Sequence, residues 1–144
     1  MLFAVVLLGA LGVFGVHSRT ASHSSNGYTL TVTYPQVARA GLDVPWRARV
    51  HRDGGVNSDI TLAVSSDYFR MFETQGFYPN PDSSTNDGTY VYLRFTNLVQ
   101  GRDFLLEYDA YIQPGSQIGK SGTVLLLVGG HEVDRTSFHT WLVP

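Results

Sequence analysis

The chain contains no cysteine, which excludes a disulfide framework, a thiol nucleophile and any Cys-ligated zinc or iron–sulfur centre. A domain without disulfides rests on its hydrophobic core, which about 120 residues supply more easily than 50. Basic charge is also scarce: ten Lys and Arg stand against twelve Asp and Glu, for a net charge of −2. Nothing here forms the positive stripe that nucleic acid requires. There is no Asn-x-Ser/Thr sequon, so N-glycosylation is not indicated. No internal repeat occurs, which argues against a propeller or solenoid. No Gly-x-Ser-x-Gly elbow is present, and the expectation is a protein that is not an enzyme and needs no cofactor.

What the chain does have begins at once. Met1 to Val16 is a run of sixteen apolar or glycine residues without a charge. As a helix it would reach about 24 Å, short of the roughly 30 Å hydrocarbon core of a bilayer. A signal-peptide core is shorter and follows a basic segment, and no Lys or Arg precedes this run. Three readings stay open: a secretory signal cleaved after Ser18, a retained single-pass anchor whose true start lies upstream, and a buried core helix. The first two place the remainder outside the cytoplasm, membrane-anchored or secreted. Gly9, Gly12 and Gly15 would allow close approach of a partner helix. Residues 17–27 are Ser, Thr, Ala, His, Asn and Gly with a single Arg and read as a flexible tether.

From Tyr28 the pattern has the period of a strand. Tyr28, Leu30, Val32 and Tyr34 alternate with Thr29, Thr31 and Thr33 until Pro35, which is expected to end the strand. Trp46, Ala48 and Val50 alternate with Arg47, Arg49 and His51, and Asp53-Gly54-Gly55 supplies a turn. Ile60, Leu62 and Val64 give a third strand. Ser66 or Asp67 can cap a helix of one or two turns that carries Tyr68, Phe69, Met71 and Phe72 on one stripe. Residues 80–88 read as a loop. Further strands follow at Val91–Phe95, Phe104–Ile112 and Val124–Val128, and Gly129-Gly130 turns the chain into a last one ending at Val143. Short strands with turns every 8–12 residues indicate an all-β, antiparallel β-sandwich of seven to eight strands with one short helix, spanning 28–144 behind the N-terminal apolar helix.

The stretch Leu98-x-x-Gly101-x-x-Phe104-x-Leu106-x-Tyr108-x-Ala110 resembles a corner of fibronectin-III and related immunoglobulin-like domains. In those domains an aromatic residue opens the penultimate strand, and its hydroxyl bonds back to the backbone. Phe104 has no hydroxyl, so that bond is absent here. Trp46 is loosely similar to the tryptophan of that family. The wider pattern, with an apolar start, an aromatic helix before a Pro/Asp loop and a closing Thr140-Trp141-x-x-Pro144, resembles small bacterial membrane-anchored proteins with one extracytoplasmic immunoglobulin-like domain. The resemblance implies a scaffold rather than an activity.

Candidate sites are few. His51, His131 and His139 show no metal-ligand spacing, His17 and His23 fall in the tether, and no metal site is expected. Asp82 to Asp87 fails the EF-hand pattern, because Ser84, Asp87 and Leu93 occupy positions that need other residues. Ser116 and Ser121 sit in turn-like settings. Glu107 and Asp109 share one strand face about 7 Å apart, where carboxylates are ordinarily solvated. The richest segment is aromatic: Tyr68, Phe69, Phe72, Phe77 and Tyr78 put five rings into eleven residues, within a long connection between strands. They either cap one end of the sandwich or form a partner-binding patch. Tyr90, Tyr92, Tyr111 and Trp141 are candidates for a second patch.

These observations point to a non-catalytic extracytoplasmic interaction or accessory domain, tethered to the membrane through residues 1–16, that recognises a protein or envelope partner. The alternatives are an exported ligand-binding or hydrolytic domain with a loop-built site, and an ancillary subunit of a membrane complex.

Overall fold

The computed structural model describes residues 17–39, 41, 43–96, 98–112 and 119–143. The apolar segment 1–16, Ser116 and Pro144 lie outside the described residues, as do the side chains of Asp109 and Ala110. The chain forms β1 (His17–Ser25), β2 (Tyr28–Arg39), β3 (Asp43–Arg52), β4 (Ile60–Ser65), a single-turn helix α1 (Ser66–Phe69), β5 (Phe72–Tyr78), β6 (Ser83–Asn86), β7 (Tyr90–Phe95), β8 (Phe104–Ile112), β9 (Gly119–Val128) and β10 (His131–Val143). Among the described residues, one ten-stranded sheet runs β5-β8-β3-β2-β10-β9-β4-β7-β6, with β1 added on β2.

Every pairing but one is antiparallel. β10 meets β2 in parallel, Trp141 opposite Val37 and Val143 opposite Arg39, so the sheet is mixed and curled where a wholly antiparallel one was expected. A parallel pair needs a long connection between its strands, and here almost the whole chain supplies it.

Alternation accounts for the core. On β3, Val44, Trp46, Ala48 and Val50 are buried while Pro45, Arg47, Arg49 and His51 are exposed. The apolar residues of β2, β4, β7, β8, β9 and β10 meet in one cluster. Each large side chain fully buried there stabilises by about 1.5–3 kcal/mol relative to exposure.

Five segments depart from expectation. Pro35 does not end β2, which runs for 12 residues in all, from Tyr28 to Arg39. Proline lacks the N–H a ladder needs, and it sits where β2 changes partner: pairing with β3 stops at Thr33 and pairing with β10 starts at Val37. Residues 17–25 are a strand rather than a tether. Asn26 (φ 54°) and Gly27 (φ 81°) make a two-residue turn of the left-handed kind that matches strand twist, and Ser25 pairs with Tyr28 across it. β5 lies inside the aromatic connection, and β6 inside the Asp/Ser loop. Finally, the corner beginning at Leu98 opens β8, which lies between β5 and β3 and is the antepenultimate strand of the chain, not the penultimate one. Its Gly101 touches the turn at Gly55, where a Cβ would come within 2.2 Å of the Gly101 carbonyl carbon.

Candidate functional site

The aromatic segment is mainly interior. α1 and β5 turn Tyr68 and Phe72 into the core, where both are buried, while Phe69 and Phe77 are partly buried against it. The Tyr68 ring stands edge-on to Phe138 at 4.9 Å and to Phe72 at 5.3 Å. Its hydroxyl shares a 2.8 Å hydrogen bond with Thr140 Oγ1, and burial pushes its phenol well above the ordinary range. No side-chain hydrogen bond caps α1; the Ser66 hydroxyl donates instead to Asn86 Oδ1 at 2.7 Å. Phe77 stacks on Tyr108 at 4.6 Å. Of the five rings, only Tyr78 projects outward, with 76% of its surface exposed.

Tyr78 alternates with Phe77 along β5, so it lands on the outer face of the sheet, opposite Glu107 of β8. Strand register then builds that face in rows. Thr20, Thr33, Arg47, Glu107 and Tyr78 stand abreast across β1, β2, β3, β8 and β5. Ser22, Thr31, Arg49 and Leu105 form the next row, and Ser24, Thr29 and His51 the third. With strands about 4.8 Å apart, the first row is about 19 Å long. Two grooves lie along it. One of about 400 Å³ is lined by Pro45, Arg47, Gly76, Tyr78 and Glu107, among others, and the other of about 250 Å³ by Thr20, Thr31, Thr33, Arg47, Arg49 and Leu105. Arg47 belongs to both. A bulge between Thr74 and Phe77 shapes the first groove.

The electrostatics of the face are uneven. His51 donates through Nδ1 to Asp103 Oδ1 at 2.7 Å and lies 3.4 Å from Asp53 through Nε2. The hydrogen bond to Asp103 and that carboxylate's charge hold the imidazole above its usual pKa. Arg47 and Arg49, by contrast, form no ion pair with any of the described residues.

The remaining candidates have structural explanations. Asp82 Oδ2 accepts the Thr96 N–H and hydroxyl, each at 2.6 Å. Asp87 Oδ1 accepts the N–H groups of Thr89 and Tyr90, each at 2.8 Å. These bonds, led by the Thr96 hydroxyl for Asp82 and the Tyr90 N–H for Asp87, hold both carboxyls below their usual range and fix the β6–β7 hairpin. Among the described residues, no group of three or more His, Asp or Glu side chains is placed to hold a metal ion. Ser121 lies in β9, not in a turn, and its hydroxyl is 2.7 Å from His139 Nδ1. Among the described residues, His139 Nε2 has no hydrogen-bond partner, so none of their carboxylates orients that imidazole as acyl transfer requires. Tyr90, Tyr92, Tyr111 and Trp141 lie on β7, β8 and β10, which are not neighbouring strands. Their ring contacts are Tyr90 with Tyr92 at 6.2 Å and Trp141 with His139 at 4.2 Å.

A second cavity, of about 310 Å³, opens among the connecting segments, lined by apolar residues such as Val56, Phe95 and Val99 and by the charged Asp82, Arg102 and Asp103. No described helix is long and apolar enough to cross a membrane.

Fold and face together define an all-β protein with one short helix and a grooved, polar outer sheet. No protein-family model matches the chain, and no curated protein matches it. Among solved structures, it is similar to the Pseudomonas fluorescens alkylpurine DNA glycosylase AlkC bound to DNA containing an abasic-site analogue. That similarity spans 76% of this chain and 28% of the glycosylase, at 14% identity and a TM-score of 0.36, too slight to carry an argument.

Proposed function

We propose that the chain is a non-catalytic, extracytoplasmic binding domain of immunoglobulin-like architecture, held at a membrane by residues 1–16, that recognises an envelope or protein partner through the outer face of β3, β8 and β5. The observation that carries this reading is Tyr78: a large ring left exposed beside Arg47 and Glu107 on the wall of a 400 Å³ groove. Exposed aromatic and arginine side chains around a concavity are the usual anchors of recognition.

The immunoglobulin-like part of the reading is supported by strand order. In that fold the sheets run A-B-E-D and C-F-G, and β2-β3-β8-β5 and β4-β9-β10 match them with the chain order kept. β6 and β7 are then an inserted hairpin on the free edge of β4. Two features depart from the family: the corner opens the E-like strand, and Trp46 lies on the B-like strand. Because β1 begins at His17, an anchor over 1–16 would hold the domain directly at the bilayer with no flexible spacer.

The test is capture from envelope extracts by the full chain and by Tyr78→Ala. Loss of the captured component with an unchanged melting temperature is the expected result. Undiminished capture, or equal loss in Thr85→Ala on β6, would overturn the reading. A second reading, a ligand-binding domain with a loop-built site, is favoured by the cavity around Val99, an aliphatic residue left 67% exposed in its wall. Val99→Asp would abolish ligand uptake there and leave partner capture intact.

A further inference from the structure

The geometry points to an acidic saccharide as the ligand of this face, an inference that rests on the binding reading above and specifies its chemistry. Arg47 and Arg49 project from the same side of β3, two residues and about 7 Å apart, and neither is neutralised by a described carboxylate within ion-pair distance. In a chain of net charge −2, two adjacent guanidinium groups left without partners are a local reversal of sign. Guanidinium forks bind carboxylate and sulfate oxygens in pairs, with charge-assisted hydrogen bonds about twice as strong as neutral ones. The groove around them is edged by the hydroxyls of Thr20, Thr31 and Thr33, with Leu105 in its wall.

Three features separate a saccharide from other anions. Two unpaired cations are too few for nucleic acid, whose binding rests on many phosphate contacts. Glu107 stands in the same row, between Arg47 and Tyr78, where its carboxylate can accept hydrogen bonds from sugar hydroxyls, which a duplex DNA backbone does not offer. Tyr78 ends the row with an open ring, a platform for an apolar sugar face, two strand spacings, or about 10 Å, from Arg47. The face thus offers, in order, an aromatic platform, a hydroxyl acceptor, an anion site and a border of neutral hydroxyls.

The experiment measures binding of the full chain to dextran sulfate, polygalacturonate, neutral dextran and duplex DNA. Expected are binding to one or both acidic polysaccharides, weakening with ionic strength, and none to neutral dextran. Which of the two binds distinguishes sulfate from carboxylate. Arg47→Gln with Arg49→Gln should weaken binding by at least about tenfold, and Tyr78→Ala by several fold. Arg47→Lys with Arg49→Lys, which keeps the charge and loses the fork, should fall between, and it replaces the glutamine variant should that one melt early. Failure of both acidic polysaccharides to bind, or binding unchanged in the arginine variants, overturns the inference. So does duplex DNA bound as tightly as either polysaccharide. If capture from envelope extracts still depends on Tyr78 while the polysaccharides fail, the ligand class is wrong and the face is right.

Discussion

Two segments of this protein swap the roles their compositions suggest. Residues 68–78, dense in rings and set in a long connection, resemble an exposed patch, yet Tyr68 and Phe72 are buried and Phe69 and Phe77 lean on the core. Residues 17–25, small and polar, resemble a tether, yet they form a full strand register with β2. The difference lies in what holds each. The aromatic segment is fixed by ring packing, which works with any neighbour of suitable shape. The polar segment is fixed by particular pairs: Ser22 with Thr31 at 3.0 Å, Ser24 with Thr29 at 2.8 Å, and His23 with the buried Asp134 at 2.6 Å. Composition alone reports neither the pairing of the polar segment nor the burial of the rings, because each depends on partners outside the segment: Thr29, Thr31 and Asp134 for the one, Tyr108 and Phe138 for the other.

The sharpest way to break the contrast is to empty the aromatic region. Tyr68→Ala removes a fully buried ring that contacts Phe72 and Phe138 and should cost about 3–5 kcal/mol, read by denaturant titration. Tyr68→Phe removes only the Thr140 hydrogen bond and should cost about 1 kcal/mol. A Tyr68→Ala loss below about 1 kcal/mol would mean that the segment is not part of the core. Overfilling tests the same contact from the other side. A Cβ on Gly122 would lie 2.7 Å from the Phe138 ring and 2.9 Å from that of Tyr68. Gly122→Ala should therefore destabilise by about 1–3 kcal/mol.

The polar region should break at one residue. Asp134 is buried; its carboxylate faces His23 Nδ1 and accepts the N–H groups of Leu30 and Arg135 at 3.2 and 2.8 Å. Asp134→Ala leaves those donors without an acceptor and should cost about 1–3 kcal/mol, with amide exchange rising first in β1. Ser22→Ala, at an exposed pair, should fall within about 0.5 kcal/mol. Equal effects for the two variants would mean that β1 is held by its ladder alone.

What was legible in the sequence follows the same division. The seven strands read from the alternation of Tyr28–Tyr34, Trp46–Val50 and their successors are all present, because one buried face imposes a period of two whatever the partner. Three further strands are not legible in that way. β1 and β6 carry no apolar face, and β5 is interrupted by Gly76 and its bulge. The turn Asn26-Gly27 was a local signal for β1 that the polar composition around it obscured. At the site, alternation places Arg47 and Arg49 outward, but only register sets Tyr78, Glu107, Arg47 and Thr33 in one row, and register between distant strands is not written locally. The parallel pairing of β2 with β10 is illegible for the same reason.

The smallest expected effect lies where the polar region reaches the outer face. His51 continues the row of Ser24 and Thr29 and is tied to Asp103 and Asp53. Because the hydrogen bond to Asp103 and its charge favour the imidazolium, His51 titrates above its ordinary value of 6.5 in the folded protein. A group whose pKa is raised on folding contributes its stability fully below the unfolded value and loses it as pH rises through the folded one. Asp103→Asn should therefore narrow its stability deficit as pH climbs from below 6.5 to above the folded pKa, and it should return the His51 imidazole resonances toward an unshifted titration. The imidazole is open to solvent, so the deficit will be small even though the NMR shift is clear. A His51 midpoint at or below 6.5 in the unmodified chain would show that pairs on this face are geometric only. The polar region's hold would then rest on the buried Asp134, not on the exposed rows.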